Sequence, residues 1–477
     1  MYCCLLSEKY RLRGWDKLPY GLVNSEQGEV SFFGEDTMQT LFRCNGSWDF
    51  DSILSTDEER SRVAELCAKG IIIPCEPGAV CLPEQQYRFF DNRFVEVLHW
   101  SITGRCNYNC RHCFMSAPEA KYGELSHRAV IEIARQIGRC GIPWVTLTGG
   151  EALLRPDFMD IAAELTDQHI QIRQLYTNGA LLTANVLDGL TALGQHPTVI
   201  LSYDGVGWHD WMRGVPGAEQ AADRALKLCA DRGFQTAVQV TLFRDNIGKI
   251  RETVRHLAGL GCSFIRFGAV NDVGEWLKNG AGHSLTQNEY REAALRYIPE
   301  YYEDGMPADL ILAGMFMASP DTPEEYNIYP RHLNVDKTEG LLLPCARSYI
   351  QLNAEGRVAV CDELGPDFVG MPPVAADDPE QETCTLSDVL KTGSPYMKLM
   401  DTRRDVFLKE NRECAECEYL SFCGGGCRAS SRKSCGSIFG KDPIMCSFFH
   451  EGWLRRVMET VRRACPGARS PFDALIG

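Results

Sequence analysis

The sequence lacks the features by which a chain enters a membrane, binds nucleic acid or is secreted. It contains no apolar run of about 18 residues, so no membrane-spanning helix is predicted. Its 49 Lys and Arg are outnumbered by 64 Asp and Glu, and the formal charge of −15 repels phosphate backbones. The amino terminus has neither the basic start nor the long apolar stretch of a signal peptide. We therefore expect a cytoplasmic protein without a membrane or nucleic-acid partner.

Cysteine is the residue that is present in excess. The 22 cysteines are too sparse for a disulfide scaffold, which exceeds about 8–10% of a short secreted chain. In a reducing compartment, clustered thiols indicate metal binding or catalysis. Ten of the cysteines lie in the last 140 residues, where helical and strand periodicity is weak. Such a region is typical of a fold organised by bound metal.

Residues 1–92 are predicted to form a separate unit. The expected elements are a hairpin of Tyr20–Val23 and Val30–Phe33, helices near Asp36–Arg43 and Glu58–Lys69 within a set of three, and a strand at Ile71–Ile73. A pair of strands with three short helices is the make-up of a winged-helix module. Prolines and polar residues over 74–86 predict a linker after it.

From about residue 94 the pattern alternates between strand and helix. The predicted strands are Phe94–Thr103, Trp144–Thr148, Gln171–Tyr176, Thr198–Tyr203, Thr236–Phe243 and Ser263–Phe267. The predicted helices are Ser126–Arg139, Asp157–Gln168, Thr183–Leu193, Gly217–Arg232 and Ile247–Leu260. This alternation favours an α/β fold with a parallel sheet, a partial (β/α)6 TIM barrel over residues 93–335. Residues 270–340 are polar and are expected to hold one helix and a connector.

Three cysteines follow the first predicted barrel strand, at Cys106, Cys110 and Cys113. A [4Fe–4S] cluster normally takes four cysteines. Three would leave one iron open to an exogenous ligand, as an open position distinguishes catalytic from structural zinc sites. A zinc site that borrows a distant fourth ligand is the alternative.

This CxxxCxxC triplet resembles the signature of the radical S-adenosylmethionine (SAM) superfamily. Further segments that resemble SAM-contacting motifs of the superfamily end the next three predicted strands: Gly149-Gly150-Glu151, Thr177-Asn178-Gly179 and Ser202-Tyr203-Asp204. The resemblance assigns the following residues to SAM: His112, Gly149, Gly150, Glu151, Asn178, Ser202, Asp204 and Arg213. Many members carry an aromatic residue at the position of His112, which still offers a ring face beside the adenine; a surface histidine without a role is the alternative.

Seven cysteines near the end of the chain resemble the SPASM domain, an extension of radical SAM enzymes that binds two auxiliary [4Fe–4S] clusters. They are Cys345, Cys361, Cys414, Cys417, Cys423, Cys427 and Cys446, within a predicted domain over 336–477. The resemblance gives Cys414, Cys417, Cys423 and Cys446 to an outer cluster, and Cys345, Cys361 and Cys427 to an inner one. Cys384, Cys435 or no residue would complete the inner set. A zinc ribbon would explain only the four cysteines from Cys414 to Cys427.

Asp362 directly follows one of these cysteines. It matches the position at which anaerobic sulfatase-maturating enzymes, which are SPASM proteins, carry a proton-accepting aspartate. The resemblance therefore makes Asp362 a candidate catalytic residue. A solvated carboxylate or a hydrogen-bonding partner of the cluster are the alternatives.

The function implied by these resemblances is reductive cleavage of SAM to a 5′-deoxyadenosyl radical, which abstracts hydrogen from a substrate. The N-terminal unit resembles the PqqD-like element that docks leader peptides of ribosomally made, modified peptides. The implied partners are a precursor peptide, with its leader docked on that unit, and a flavodoxin- or ferredoxin-type electron donor. The alternatives are formylglycine formation of the sulfatase-maturase type, a small-molecule or haem-pathway radical SAM enzyme, and a non-enzymatic electron-transfer or zinc-binding scaffold.

Overall fold

The computed structural model describes residues 3–117, 122–328, 340–346, 349–361 and 363–473 of the chain. The strands are β1 (Cys3–Leu6), β2 (Tyr10–Asp16), β3 (Leu18–Asn24), β4 (Val30–Phe32), β5 (Ile72–Cys75), β6 (Arg88–Arg93), β7 (Val97–Ser101), β8 (Trp144–Thr148), β9 (Gln171–Thr177), β10 (Thr198–Ser202), β11 (Thr236–Leu242), β12 (Phe264–Ala269), β13 (Asp309–Leu312), β14 (Phe316–Ala318), β15 (Tyr326–Asn327), β16 (Tyr349–Leu352) and β17 (Val358–Ala359).

The α-helices of the same residues connect and cover these strands. They are α1 (Glu35–Arg43), α2 (Phe50–Ile53), α3 (Asp57–Ala68), α4 (His127–Arg139), α5 (Phe158–Asp167), α6 (Ala184–Ala192), α7 (His209–Arg213), α8 (Ala218–Asp231), α9 (Ile250–Gly259), α10 (Trp276–Asn279), α11 (Gln287–Glu303), α12 (Leu386–Leu390), α13 (Pro395–Met400), α14 (Arg404–Glu410), α15 (Arg412–Ala415), α16 (Leu420–Cys423), α17 (Arg428–Cys435), α18 (Pro443–His450) and α19 (Trp453–Ala464).

The main sheet has eleven strands in the order β15-β14-β13-β12-β11-β10-β9-β8-β7-β16-β17. The six predicted strands correspond to β7–β12, and all of them pair in parallel, as the strand–helix alternation indicates. The prediction of six strands is too small, because β13 extends the parallel run beyond β12 and β16 adds a parallel strand beside β7. Both added strands have only four residues, which is too short for a clear pattern.

Apolar residues on one face of the strands pack against the helices, and polar residues line the other face. Leu98 and Trp100 of β7 are fully buried in the main core, whereas His99 between them lies on the opposite face with Tyr176 and Tyr349. Alternate residues of a strand point to opposite faces, so the helix-covered side is the outer wall and the side of His99 is the inner wall.

The N-terminal unit (residues 3–93) has a four-stranded sheet in the order β4-β3-β2-β6 and a separate pair of β1 with β5. The predicted hairpin is confirmed as β3 and β4, and the predicted helices appear as α1 and α3. The linker expected over 74–86 is wrong. Gln85 is buried there, and its side-chain amide donates to the carbonyls of Leu6 and Ser7 at 3.1 and 2.9 Å.

This unit packs against the amino ends of the barrel strands. Trp144, the first residue of β8, donates from Nε1 to the Gln27 carbonyl at 2.9 Å. Trp15 Nε1 and Asn92 Nδ2 both donate to the Cys140 carbonyl, each at 3.1 Å, just before β8. Because all barrel strands are parallel, the unit lies at the end of the barrel opposite to the strand ends that carry the sequence motifs.

The segment 270–340 contains more regular structure than the single helix and connector expected. It holds the 17-residue helix α11, the short helix α10, and the strands β13, β14 and β15. Thr286 caps α11 in a capping box with Glu289, and Tyr290, Tyr297 and Tyr301 lie buried on it. α11 also contains Pro299, a residue that in a sequence signals the end of a helix.

The C-terminal region is also more regular than its weak periodicity indicates. Eight helices, α12–α19, lie within its described residues, and most span only four to eight residues. A helix of one or two turns is too short to show a 3.6-residue period. In the described part of the chain, no helix is both long enough and apolar enough to cross a bilayer.

Candidate functional site

The loop after β7 carries Cys106, Cys110 and Cys113, and each sulfur accepts one hydrogen bond. The Tyr108 N–H donates to Cys106 Sγ at 3.4 Å, and the Ala117 N–H donates to Cys113 Sγ at 3.4 Å. Arg213 Nη1 lies 3.6 Å from Cys110 Sγ. Hydrogen bonds to sulfur stabilise thiolate and tune the reduction potential of an iron–sulfur cluster. The three sulfurs therefore fit a cluster ligand set.

Gly149 and Gly150 pack directly against this cysteine loop. A Cβ at Gly150 would lie 2.2 Å from the Arg105 carbonyl oxygen, and one at Gly149 would lie 2.5 Å from the Thr103 carbonyl oxygen. The Gly150 N–H donates to that Thr103 oxygen at 2.8 Å. The chain's own cysteine loop is thus a close neighbour of both glycines, and the close approach of a ligand stays a prediction.

Glu151 joins the ends of β8 and β9. Its carboxylate accepts hydrogen bonds from Thr177 Oγ1 at 2.8 Å and from the Asn178 N–H at 2.7 Å. The side chain of Asn178 in turn donates to Asn107 Oδ1, inside the cysteine loop, at 2.7 Å. Burial raises the pKa of Glu151 above its usual value, while these donors oppose the rise. These hydrogen bonds therefore join the ends of β8 and β9 to the cysteine loop.

Asp204 and Arg213 form a buried ion pair behind Cys110. Arg213 Nε lies 2.6 Å from Asp204 Oδ2, and the Asp204 N–H donates to His209 Nδ1 at 2.9 Å. Burial alone would raise the pKa of Asp204, but the charge of Arg213 holds it below its usual value. Asp204 is fully buried and its carboxylate contacts Arg213, while its expected place on the SAM or substrate side stays a prediction. Arg213 is likewise committed to Asp204 and Cys110.

His112 is half-buried beside the cysteine ligands, and its expected place beside the adenine stays a prediction. Burial lowers the pKa of its imidazole to about 4, so the ring is neutral at pH 7. Its Nδ1 is shielded from solvent and has no hydrogen-bond partner within the described residues. A buried polar atom without a partner is costly, so Nδ1 is a place where a bound group would complete the site. Ser202 ends β10, partly buried, in register with Gln239.

A segment after β12 closes over the cysteine loop, and sequence patterns gave no sign of it. The Glu275 N–H donates to the Cys113 carbonyl at 2.9 Å, and Ser116 Oγ donates to Glu275 Oε1 at 2.7 Å. Gly274 has a φ of +54°, and a Cβ there would lie 2.4 Å from the same Cys113 oxygen. The short helix α10 after it is thereby fixed beside the loop.

The inner wall below the loop carries polar side chains that sequence analysis also missed. Gln239 Nε2 donates to the Tyr176 hydroxyl at 3.2 Å, and Gln351 Nε2 donates to the Tyr349 hydroxyl at 3.2 Å. His99 lies between the two tyrosines, and burial lowers its pKa to about 4. Strand alternation could have identified this wall, since each of these residues occupies the face opposite to the apolar core.

Cys414, Cys417, Cys423 and Cys446 line a single pocket in the C-terminal region. His450 closes one side of it, with Nε2 3.6 Å from Cys417 Sγ. Burial raises the pKa of Cys423 to about 12, so metal binding there must release a proton. The structure therefore brings together the four residues assigned to the outer cluster.

Cys345, Cys361 and Cys427 also lie near one another. Burial and the charges of Cys345 and Cys427 raise the pKa of Cys361 to about 12. The two candidate fourth ligands have other neighbours: Cys384 Sγ donates to the Pro372 carbonyl at 3.3 Å, and Cys435 Sγ donates to the Ser431 carbonyl at 3.0 Å. Asp362, the candidate catalytic residue, lies outside the described residues.

Asp442 connects the two C-terminal cysteine sets and was not anticipated. Its Oδ2 accepts from the Cys427 N–H at 2.8 Å, and its Oδ1 accepts from the Ile444 N–H at 3.0 Å at the start of α18, the helix that carries Cys446. A Cβ at Gly426 would lie 2.5 Å from the Asp442 Cβ. The sequence signal was present, because Asp before Pro is a helix N-cap pattern.

Among the described residues, no group of three or more His, Cys, Asp or Glu side chains is arranged to hold a single metal ion. The cysteine sets instead suit a larger group, since a four-iron cluster spreads its ligands around a cube. The sulfur-directed hydrogen bonds and the unpartnered His112 Nδ1 are the features that fit such a cluster and its ligand.

Comparison with known proteins places these motifs in a family. The radical SAM superfamily model matches residues 100–257, which contain the end of β7, the cysteine loop and β8–β11. The pre-heme d1 synthase of Dinoroseobacter shibae is 25% identical over 361 residues, covering 73% of this chain and 85% of the relative. The mycofactocin maturase MftC of Mycobacterium tuberculosis is 33% identical over 158 residues, covering 32% of this chain and 40% of the relative.

The fold is similar to that of a protein solved with a bound precursor peptide. SuiB of Streptococcus suis, in the crystal structure with its precursor peptide SuiA, superposes with a TM-score of 0.62 at 15% identity, over 94% of this chain and 100% of SuiB. At that identity the likeness concerns the fold. The superfamily match covers the hydrogen-bonded cysteine loop and the motif-bearing strand ends packed against it, and it identifies residues 100–257 as the radical SAM domain of an enzyme.

Proposed function

We propose that this enzyme modifies a ribosomally made precursor peptide. Cys106, Cys110 and Cys113 would hold the [4Fe–4S] cluster that binds SAM, and the two C-terminal cysteine sets would hold auxiliary clusters. Bound together, cluster and SAM supply a 5′-deoxyadenosyl radical that removes a hydrogen atom from the substrate. The residues of this chain position the cluster, exclude water from it and present the substrate.

The observation that carries a peptide substrate is the open strand edge of the N-terminal unit. Within the described residues β4 is the end strand of its sheet, and Ser31 and Phe32 on it are exposed. The Phe33 N–H donates to the Tyr20 carbonyl at 2.9 Å, and the Asn24 N–H donates to the Glu29 carbonyl at 2.8 Å. By strand alternation, the N–H and C=O groups of Val30 and Phe32 point outward. An extended leader can add to such an edge as a further strand.

The other edges of the unit are less suitable for strand addition. Pro74 interrupts β5 and removes a backbone donor from that strand. The exposed edge of β6 is approached by the C-terminal region, where Lys391 pairs with Asp91 at 3.4 Å. β4 is therefore the edge that we assign to the leader.

Some comparisons support a peptide substrate and others support a different class. SuiB was solved with a precursor peptide, and MftC is named a maturase. The relatives that align over most of this chain, however, are named haem synthases and pre-heme d1 synthase. A tetrapyrrole is therefore the second candidate substrate, although the alignment with the pre-heme d1 synthase leaves about a quarter of this chain uncovered, since it spans 73%.

Mass spectrometry distinguishes a peptide substrate from a tetrapyrrole substrate. The enzyme is co-expressed with each short open reading frame next to its gene, and the masses of the encoded peptides are measured. We expect a mass change in one peptide that disappears in Cys106→Ala. It should also fall sharply in Val30→Pro, which removes an outward N–H, but persist in Val30→Ala, which keeps it. Unmodified peptides together with conversion of an added iron porphyrin would establish the tetrapyrrole function instead.

A further inference from the structure

We propose that the fold sets a minimum separation between the docked part of a precursor peptide and the residue that is modified. The inference rests on the proposed function, because it takes the β4 edge as the docking place. It adds a property of the substrate: the two parts of the peptide that the enzyme uses must be joined by a connecting stretch of about six residues or more.

The docking edge lies at the amino ends of the barrel strands. The Phe32 ring, on β4, is centred 5.1 Å from the ring of Phe94, which precedes β7. Gly28, just before β4, has a φ of +69°, and a Cβ there would lie 1.5 Å from Nε1 of Trp144, the first residue of β8. No side chain larger than hydrogen fits between them, so β4 begins directly on the barrel.

The cysteine loop lies at the carboxyl ends of the same strands. From Val97 to Thr103 the chain runs along β7 and past its end, where the Ile102 N–H donates to the Thr148 carbonyl at 2.9 Å. Six steps of about 3.3 Å place the start of the loop about 20 Å from the amino end of β7. A straight line between edge and loop cannot be much shorter than the strand itself.

The N-terminal unit is held in this position from two sides. The Trp15 and Asn92 bonds to the Cys140 carbonyl are buried, and the unit's last residue, Arg93, contacts both oxygens of Asp401 at 3.0 and 3.2 Å. Asp401 directly follows α13 of the C-terminal region. These contacts with the strands and with Asp401 hold the edge at the amino ends of the strands.

A fully extended chain covers about 3.3–3.6 Å per residue. A gap of about 20 Å therefore requires at least about six residues between the docked segment and the modified one. Any path around the barrel wall needs more. The connecting stretch is bound at neither the β4 edge nor the cysteine loop. Its sequence can therefore vary, but its length cannot fall below about six residues.

The test uses peptides whose identity need not be known beforehand. Random peptides displayed on their own messenger RNA are first selected for binding to the full-length reconstituted enzyme. The selected peptides are then tested on two variants, and those that bind the Val30→Ala enzyme but not the Val30→Pro enzyme are taken as docked segments. Each segment is extended by Gly-Ser spacers of about 2 to about 16 residues ending in photo-leucine, a short-armed crosslinker. The crosslinked residues are mapped by mass spectrometry, with iron content confirming that each variant is loaded.

We expect crosslinks to the cysteine-loop segment around Phe114, which is 52% exposed, only from spacers of about six residues upward. Shorter spacers should label the N-terminal unit and residues near Trp144. Crosslinks to Phe114 from a spacer of about two residues would overturn the separation while leaving β4 docking intact. Selection that yields no peptide sensitive to Val30→Pro would overturn the docking assignment itself, and the separation with it.

Discussion

Arg213 contacts both the buried carboxylate of Asp204 and the sulfur of Cys110, so it affects the stability of the fold and the binding of iron. Arg213→Met should destabilise the fold by about 3–5 kcal/mol, because it leaves a buried carboxylate without its partner. It should also reduce iron loading, since Cys110 loses the donor at 3.6 Å. Urea unfolding and iron analysis check both effects. Asp204→Asn combined with Arg213→Met should recover most of the stability but not the iron; equal stability of the single and double variants would contradict the account.

Asp442 both caps α18 and accepts a hydrogen bond from the Cys427 N–H. Asp442→Ala should cost about 1–2 kcal/mol through the lost helix cap, and should lower the iron content because the Cys427 N–H loses its acceptor. The matched control is Ser394→Ala, which removes the cap of α13, where Ser394 accepts from the Met397 N–H at 3.0 Å. The control should lose similar stability and keep its iron. Equal iron loss in both variants would make the effect a general loss of stability.

At the scale of elements, the packing of the β8 end against the cysteine loop is the most sensitive contact. Gly150→Ala should displace the loop, because its Cβ would lie 2.2 Å from the Arg105 oxygen. We expect the loss of about four irons, the content of one cluster, and of all SAM cleavage, measured as 5′-deoxyadenosine. Gly248→Ala is the control, because a Cβ at Gly248 meets no atom within 4 Å. Unchanged iron in Gly150→Ala would show that the loop adapts.

The same elements show how far sequence reasoning reaches. β7–β12 were predicted within a few residues, since strands buried in a parallel sheet read as apolar runs between helices. β16 was missed because its place beside β7 depends on a partner about 250 residues away, which local periodicity does not report. The motif residues were found, but their contacts were not: Asp204 faces Arg213, and Gly150 faces Arg105. Asp442 and the polar inner wall acquire their meaning only from tertiary neighbours.

For the whole molecule we expect about twelve irons per chain after anaerobic reconstitution, as three four-iron clusters. Replacing Cys106, Cys110 and Cys113 together by Ala should remove about four irons and abolish SAM cleavage. Replacing Cys414 and Cys417 should remove a similar amount, while cleavage of SAM itself continues. Iron analysis and the yield of 5′-deoxyadenosine check both variants. Stoichiometric zinc without iron absorbance in protein purified without air would contradict the assignment of all three sets.

The place of β7 between β8 and β16 has a consequence for how the enzyme is made. β16 is translated about 250 residues after β7. At 5–20 residues per second the ribosome needs on the order of 12 to 50 seconds for that stretch. Until it emerges, the strand that leads into the cysteine loop has one side uncovered, and the N-terminal unit lacks its contact with Asp401. We therefore expect the thiols of the cysteine loop to be exposed to oxidation during this interval.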